Sequence, residues 1–219
     1  MTVGNPYLRA LISMMGISFV WLLPHFSPIP FPFGYTIPVI LAVWLLLKWS
    51  GETFSDIGFS FKRIGTGSLL TGILYGTILF FLLQYAVMPF LARVLHLPKT
   101  NLEDFNFLRH NIIGLLVIIP VAWVVGGIYE EIVFHGYIFT RLSNMMTNNA
   151  GLWISFLAAN IIFGAYHYQQ GITGIIHAFI AGCAYQFIAI KKNRDLWYAV
   201  FFHAAYDTIA LTYIYLGYQ

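Results

Sequence analysis

Seven stretches of the chain are almost unbroken in apolar residues, and short polar or proline-rich breaks separate them. They cover residues 7–24, 34–49, 68–90, 112–143, 151–166, 171–190 and 196–215. A helix needs roughly 20 mostly apolar residues to cross a bilayer, with a range of about 17–25. The second stretch is short and carries Pro38 near its start. In the fourth, the apolar run reaches Ile128 and a helical pattern continues through Tyr129 to about Ser143. None shows the two-residue alternation of a barrel strand, and backbone in lipid must satisfy its hydrogen bonds within the segment. The pattern predicts an all-α, polytopic membrane protein with about seven transmembrane helices. Residues 1–219 read as one membrane domain, of which 1–111 supply N-terminal helices and a connector. Arg9 precedes the first stretch as in a signal peptide, but no small-residue cleavage site follows. Pro28, Pro30 and Pro32 follow instead and suit a stiff loop between spans.

Composition supports lipid as the solvent. The chain is 59% hydrophobic and 9% charged, where soluble domains carry about 25% charge. Its mean hydropathy is +0.77. A soluble globular domain, a disordered tail and a nucleic-acid binder are excluded, so the partner expected from composition is the lipid bilayer. The net charge of +3 matters only through its placement. With a cytoplasmic N-terminus, Arg9, Lys48, Lys62, Arg63, Arg141, Lys191, Lys192 and Arg194 lie inside, and Arg93, Lys99 and Arg109 lie outside. That asymmetry follows the positive-inside rule and predicts a multi-pass protein of the cell membrane. The uncharged tail, residues 216–219, then lies outside. The single cysteine, Cys183, rules out an intramolecular disulfide and a cysteine-built zinc site, and reads as a packing residue. The loop 91–111 holds Glu103, Asp104, Arg109 and His110 and reads as a solvated connector with room for a surface helix. Gly72 and Gly76, and the stripe Gly174, Ala178 and Gly182, have the spacing of close helix packing.

Some polar residues do not fit a purely structural reading. All eleven Lys and Arg fall in loops or at helix ends, yet Glu130, Glu131 and Asp207 lie within spans, as do His135, His167, His177 and His203. An ionised side chain at the middle of a span costs about 2.5–3.5 kcal/mol on insertion scales. These groups must therefore face protein or a watery cavity, and an intramembrane acid cluster is by default a functional site. Glu131 and His135, Phe163 and His167, and His203 and Asp207 are each four apart, so each pair shares a helix face. Acids and imidazoles serve general acid/base chemistry or metal binding. No serine or cysteine nucleophile with a nearby base lies in these segments, and there is no H-E-x-x-H. His167, His203 and a glutamate are candidate ligands for Zn2+; the sequence leaves metal-bound and metal-free sites both open. His177 reads as a packing or interfacial residue, and His25, His96 and His110 sit in loops without a role. Counting 1.5 Å per residue from the cytoplasmic ends puts Glu130 and His167 about 20–25 Å deep but His203 only about 10–15 Å.

At these residues the chain resembles the intramembrane CAAX-protease and bacteriocin-processing (CPBP, or Abi) family. That family shows Glu-Glu-x-x-x-Arg on one helix, and here Glu130-Glu131-Ile132-Val133-Phe134-His135 stands there. Its Phe-x-x-x-His is matched by Phe163 and His167. Its glycine-rich helix ending in tyrosine is matched by Gly174 through Gly182 to Tyr185. Its His-x-x-x-Asn/Asp after a Leu-Trp pair is matched by His203 and Asp207 after Leu196 and Trp197. Each motif alone is weak; their order and spacing on successive helices make the resemblance specific, over residues 112–210 as the catalytic core. It implies an intramembrane endopeptidase, with a peptide or membrane-protein substrate, in which Glu130 acts as general base on a water. Glu131 would orient a neighbour through His135, and His167 and His203 would hold the water or the oxyanion. Asp207 would fix His203 or polarise the carbonyl, and Phe163 has a supporting place. The family's arginine is replaced by His135, which is neither a permanent charge nor a rigid fork of donors.

Two other classes compete. A non-catalytic membrane scaffold is favoured by that replacement. A proton-coupled transporter would also use buried acids and histidines, but the chain shows no inverted repeat and no matched pair of interrupted helices. Substrate identity and oligomeric state are not legible.

Overall fold

A computed structural model of the protein describes residues 6–26, 33–146 and 148–218. The fold is built from seven long helices: α1 Pro6–Leu22, α2 Thr36–Trp49, α3 Thr66–Leu95, α4 Ile112–Asn144, α5 Asn149–Tyr166, α6 Gly171–Lys191 and α7 Leu196–Tyr215. Among the described residues there is no strand. The loop of Pro28, Pro30 and Pro32 and the side chain of Arg9 lie outside the described residues.

By length and composition α3, α4, α5 and the helix ending in α6 can cross a bilayer, while Ala10–Phe26 and Thr36–Trp49 are shorter apolar helices. α3 shows how lipid and core divide one helix. Leu70, Leu74, Ile78 and Phe81 form an exposed apolar stripe, and Gly72, Gly76, Leu79 and Leu83 form the buried one. An exposed stripe of that size has no place in water and marks the lipid-facing surface. α7 is less apolar than these spans, and no residue in it is exposed. It packs against α3, α4 and α6. A helix enclosed by protein has no lipid face to keep apolar, so it can carry His203 and Asp207.

The small residues act where their spacing predicts. A Cβ at Gly72 would lie 2.5 Å from Phe201 Cβ, and one at Gly76 would lie 2.8 Å from Ala205 Cβ and from the Phe202 carbonyl oxygen. α3 and α7 therefore touch backbone to backbone. Gly182 of α6 makes the same kind of approach to α5, where an added Cβ would stand 2.6 Å from the Phe163 ring. Gly76→Val is expected to cost about 1–3 kcal/mol through overpacking. Thermal unfolding in detergent checks this, and an unchanged midpoint would mean that α3 does not need the close approach.

Three details depart from the sequence reading. First, α3 continues to Leu95, and the loop after it is more than a solvated connector. Its short turn Glu103–Leu108 ends in a fully buried Leu108, which packs with Leu115, Leu211 and Ile214 in a small second core. Second, α4 is one helix, but Trp123–Ile138 within it is π-helical, with Pro120 just ahead. Third, the depth mismatch of His203 disappears. The Leu196 N–H donates to the Gly58 carbonyl at 3.1 Å, and the Trp197 indole N–H donates to the Ser60 carbonyl at 2.8 Å. α7 thus begins beneath the loop between α2 and α3, not level with the other helix ends, which carries His203 deeper than residue counting gives.

The helix ends sort into two faces. On one, Arg141 pairs with Glu52 at 2.5 Å, Arg194 donates to Thr140 at 2.5 Å, and Arg63 donates to the Asn193 carbonyl at 3.4 Å. On the other, the Asn101 N–H donates to the Gln170 carbonyl, Thr173 to the Pro98 carbonyl, and the His110 N–H to the Tyr215 carbonyl.

Candidate active site

α4 and α7 bring the two motif-bearing faces together because glycines let them approach. A Cβ at Gly127 would lie 3.1 Å from Ala204 Cβ, and one at Gly126 would collide with Asp207 Oδ2 and lie 3.3 Å from His203 Nε2. Gly126 therefore keeps open the space in which the Asp207 carboxylate sits beside His203. Sequence reasoning missed this residue; the signal was a glycine pair one turn before the glutamate pair.

Glu131 is the buried anchor. Its side chain is 0% exposed. One carboxylate oxygen meets His135 Nδ1 at 2.6 Å, and the other meets His203 Nδ1 at 2.9 Å. His135 Nε2 in turn meets Asn160 Oδ1 at 3.1 Å. The Asn160 amide has a fixed orientation, because its NH2 donates to the Phe156 carbonyl at 2.8 Å and to Gln186 Oε1 at 2.5 Å. Its oxygen can only accept, so His135 Nε2 carries a hydrogen. His135 meets Glu131 through Nδ1 alone, and Asn160, held by Gln186, fixes the ring from the other side. Neither amide was singled out from sequence; the signal was a polar Asn160 three residues before Phe163 and seven before His167 on one helix face.

Asn160 reaches Glu131 through His135. Asn160→Leu is expected to lower kcat by about tenfold, near 1.4 kcal/mol, with KM little changed. A fall in protein stability with kcat intact would leave Asn160 as packing only.

The remaining groups face a cavity of about 520 Å³. Glu130, His167, His203 and Asp207 all line it. Glu130 Oε2 lies 4.0 Å from His167 Nε2 and 3.9 Å from His203 Nε2, and His203 Nε2 lies 3.5 Å from Asp207 Oδ2. Those separations are too long for direct hydrogen bonds and suit a bridging water. The tautomers follow from the partners. His167 Nδ1 faces the Phe163 carbonyl at 2.9 Å, so it donates and leaves an Nε2 lone pair toward the cavity. His203 Nδ1 faces the Glu131 carboxylate, so its Nε2 also points at the cavity. Tyr185 stacks on the His203 ring at 4.5 Å, and Phe163 sets its ring against His135, His167 and His203. The imidazoles are therefore held by packing as well as by bonds.

His167 sits just past the end of α5 rather than inside it, on the wall of the cavity. His177 is not brought to the site; it bonds the Tyr206 hydroxyl and lines a neighbouring cavity of about 700 Å³. His25, read as a loop residue without a role, packs against Tyr166 and Tyr168 and lines the site cavity. The donor set does not fit the zinc reading as arranged. Among the described residues no group of three His, Cys, Asp or Glu is placed to hold a metal ion. Tetrahedral ligands at about 2.0–2.1 Å from zinc lie about 3.3 Å apart, whereas Glu130 stands 3.9–4.0 Å from the two imidazole nitrogens.

The site residues all fall inside the one region that matches a known family. Residues 112–209 match the family described as Rce1-like, type II CAAX prenyl endopeptidase. No curated protein and no solved structure matches the chain significantly. The motif order and the helices that carry it agree with that match, and residues 112–209, somewhat under half of the chain, are similar to the Rce1-like family of type II CAAX prenyl endopeptidases.

Proposed function

We propose that the protein hydrolyses peptide bonds inside its membrane cavity with a water activated by Glu130. The observation that carries the reading is the placement of the Glu130 carboxylate between two imidazole nitrogens, at 3.9 and 4.0 Å, on the wall of a cavity. A water lodged there would donate one hydrogen bond to Glu130 and the other to the lone pair of His167 Nε2. Glu130 takes the proton as the water oxygen attacks the scissile carbonyl. The developing oxyanion needs a donor, which His203 supplies through Nε2–H in its imidazolium form. Glu131 and Asp207, at 2.9 and 3.5 Å from that ring, balance the charge. Glu130 then passes its proton to the departing amine, which closes the proton balance and frees the carboxylate for the next turnover.

The test is comparative proteomics of membranes and secreted peptides, wild type against Glu130→Ala at equal expression. A peptide or protein cut only in the wild type supports the reading and identifies the substrate. A biological phenotype that survives the substitution, with no difference in cleavage, would overturn it in favour of a scaffold. Cleavage by the purified protein is expected to persist after treatment with a zinc chelator, because the residues above complete the chemistry. Loss of activity that returns on adding Zn2+ would show that the donors rearrange around a metal.

A further inference from the structure

Among the described residues, the loop and turn residues that line the cavity all come from one side of the molecule. Its wall is built from the turn after α1 (His25), the turn before α2 (Tyr35), the loop before α4 (Leu102 and Phe105) and the turn between α5 and α6 (Gln169). None of its lining residues comes from the opposite face, where Glu52, Lys62, Arg63, Arg141, Lys191, Lys192 and Arg194 gather. Eight of the eleven Lys and Arg belong to that opposite face, counting Arg9 and Lys48 at the ends of their helices; the cavity side has Arg93, Lys99 and Arg109. All of them lie within short loops or close to helix ends, where the positive-inside bias operates.

We propose that the active-site cavity faces away from the cytoplasm, and that its substrate is a peptide segment of an exported or membrane-embedded protein presented from that side. The inference rests on the protease reading for the word substrate, but the orientation stands on charge and cavity geometry alone. The wall also describes the segment. Phe33, Tyr35, Phe105, Tyr166 and Tyr206 give it aromatic surface, no Lys or Arg among the described residues lines it, and its carboxylates are Glu130 and Asp207. Apolar or basic side chains flanking the scissile bond are accommodated, and acidic ones meet like charge.

Orientation is read by labelling. In a Cys183→Ala background, a cysteine replacing the exposed Gln169 on the cavity side should react with a membrane-impermeant maleimide in intact cells. One replacing the exposed Asn144 on the basic side should react only after permeabilisation. The reverse pattern overturns the proposal. Cleavage is read with a defined mixture of octapeptides added to sealed right-side-out vesicles, to inverted vesicles and to detergent-solubilised protein, each against Glu130→Gln. Cleavage in detergent and in right-side-out vesicles, with acidic residues depleted at the cut sites, is the expected result. Cleavage in detergent and in inverted vesicles alone overturns the orientation while leaving the protease reading intact. No cleavage in detergent tells against the protease reading and with it the substrate, and the labelling still decides the orientation.

Discussion

Glu130→Gln is expected to remove peptide cleavage by a factor of about 10²–10⁴, the usual contribution of a general base, while the protein accumulates in the membrane as before. Glutamine fills the same volume and keeps an oxygen toward the cavity, but it cannot take the water's proton. The substitution should leave stability unharmed, because among the described residues Glu130 has no direct hydrogen bond to lose: the His167 and His203 nitrogens stand 4.0 and 3.9 Å away. Activity and unfolding midpoint are therefore expected to separate cleanly. A variant that still cuts the substrate at the wild-type rate would remove Glu130 from the mechanism.

His203→Ala should abolish cleavage as well, but with a different signature. His203 donates to Glu131, whose side chain is 0% exposed, and removing it leaves half of a buried carboxylate without a partner. Breaking a buried charge pair on one side costs about 3–5 kcal/mol, so this variant should be both inactive and destabilised. The double variant His203→Ala/Glu131→Ala should recover part of that stability and none of the activity, a coupling that a double-mutant cycle measures. Full additivity of the two stability losses would mean that the Glu131–His203 contact is not a working pair.

Much of the fold was legible because membrane helices announce themselves by length and apolarity. The ends of α2, α5, α6 and α7 fall within a few residues of the apolar runs. The site residues Glu130, Glu131, His167, His203 and Asp207 stood out because an ionisable group in lipid demands an explanation. What the sequence concealed was whatever depends on how helices lie against one another. The starting depth of α7 is set by the Gly58 and Ser60 carbonyls of a distant loop, which no local pattern encodes. Asn160 and Gln186 become partners only when α5 and α6 pack, and in isolation each is an ordinary polar residue in an apolar helix. The zinc reading came from residue types alone, and the separations of their donor atoms are set only when the helices pack.

The π-helical turn of α4 has a consequence for how such a site could be gained or lost in evolution. A π-helical segment closes its hydrogen bonds one residue later than an α-helix, so it holds surplus chain within a continuous rod. Trp123–Ile138 contains every α4 residue of the site, from Gly126 to His135. An α-helix winds at about 100° per residue, so Trp123–Ile138 wound as an α-helix would aim Glu130 and Glu131 elsewhere than at α7, in a span of the same residues and the same apolarity. The register of the site against α7 is thus held by the winding of one helix, which can change without any change of topology.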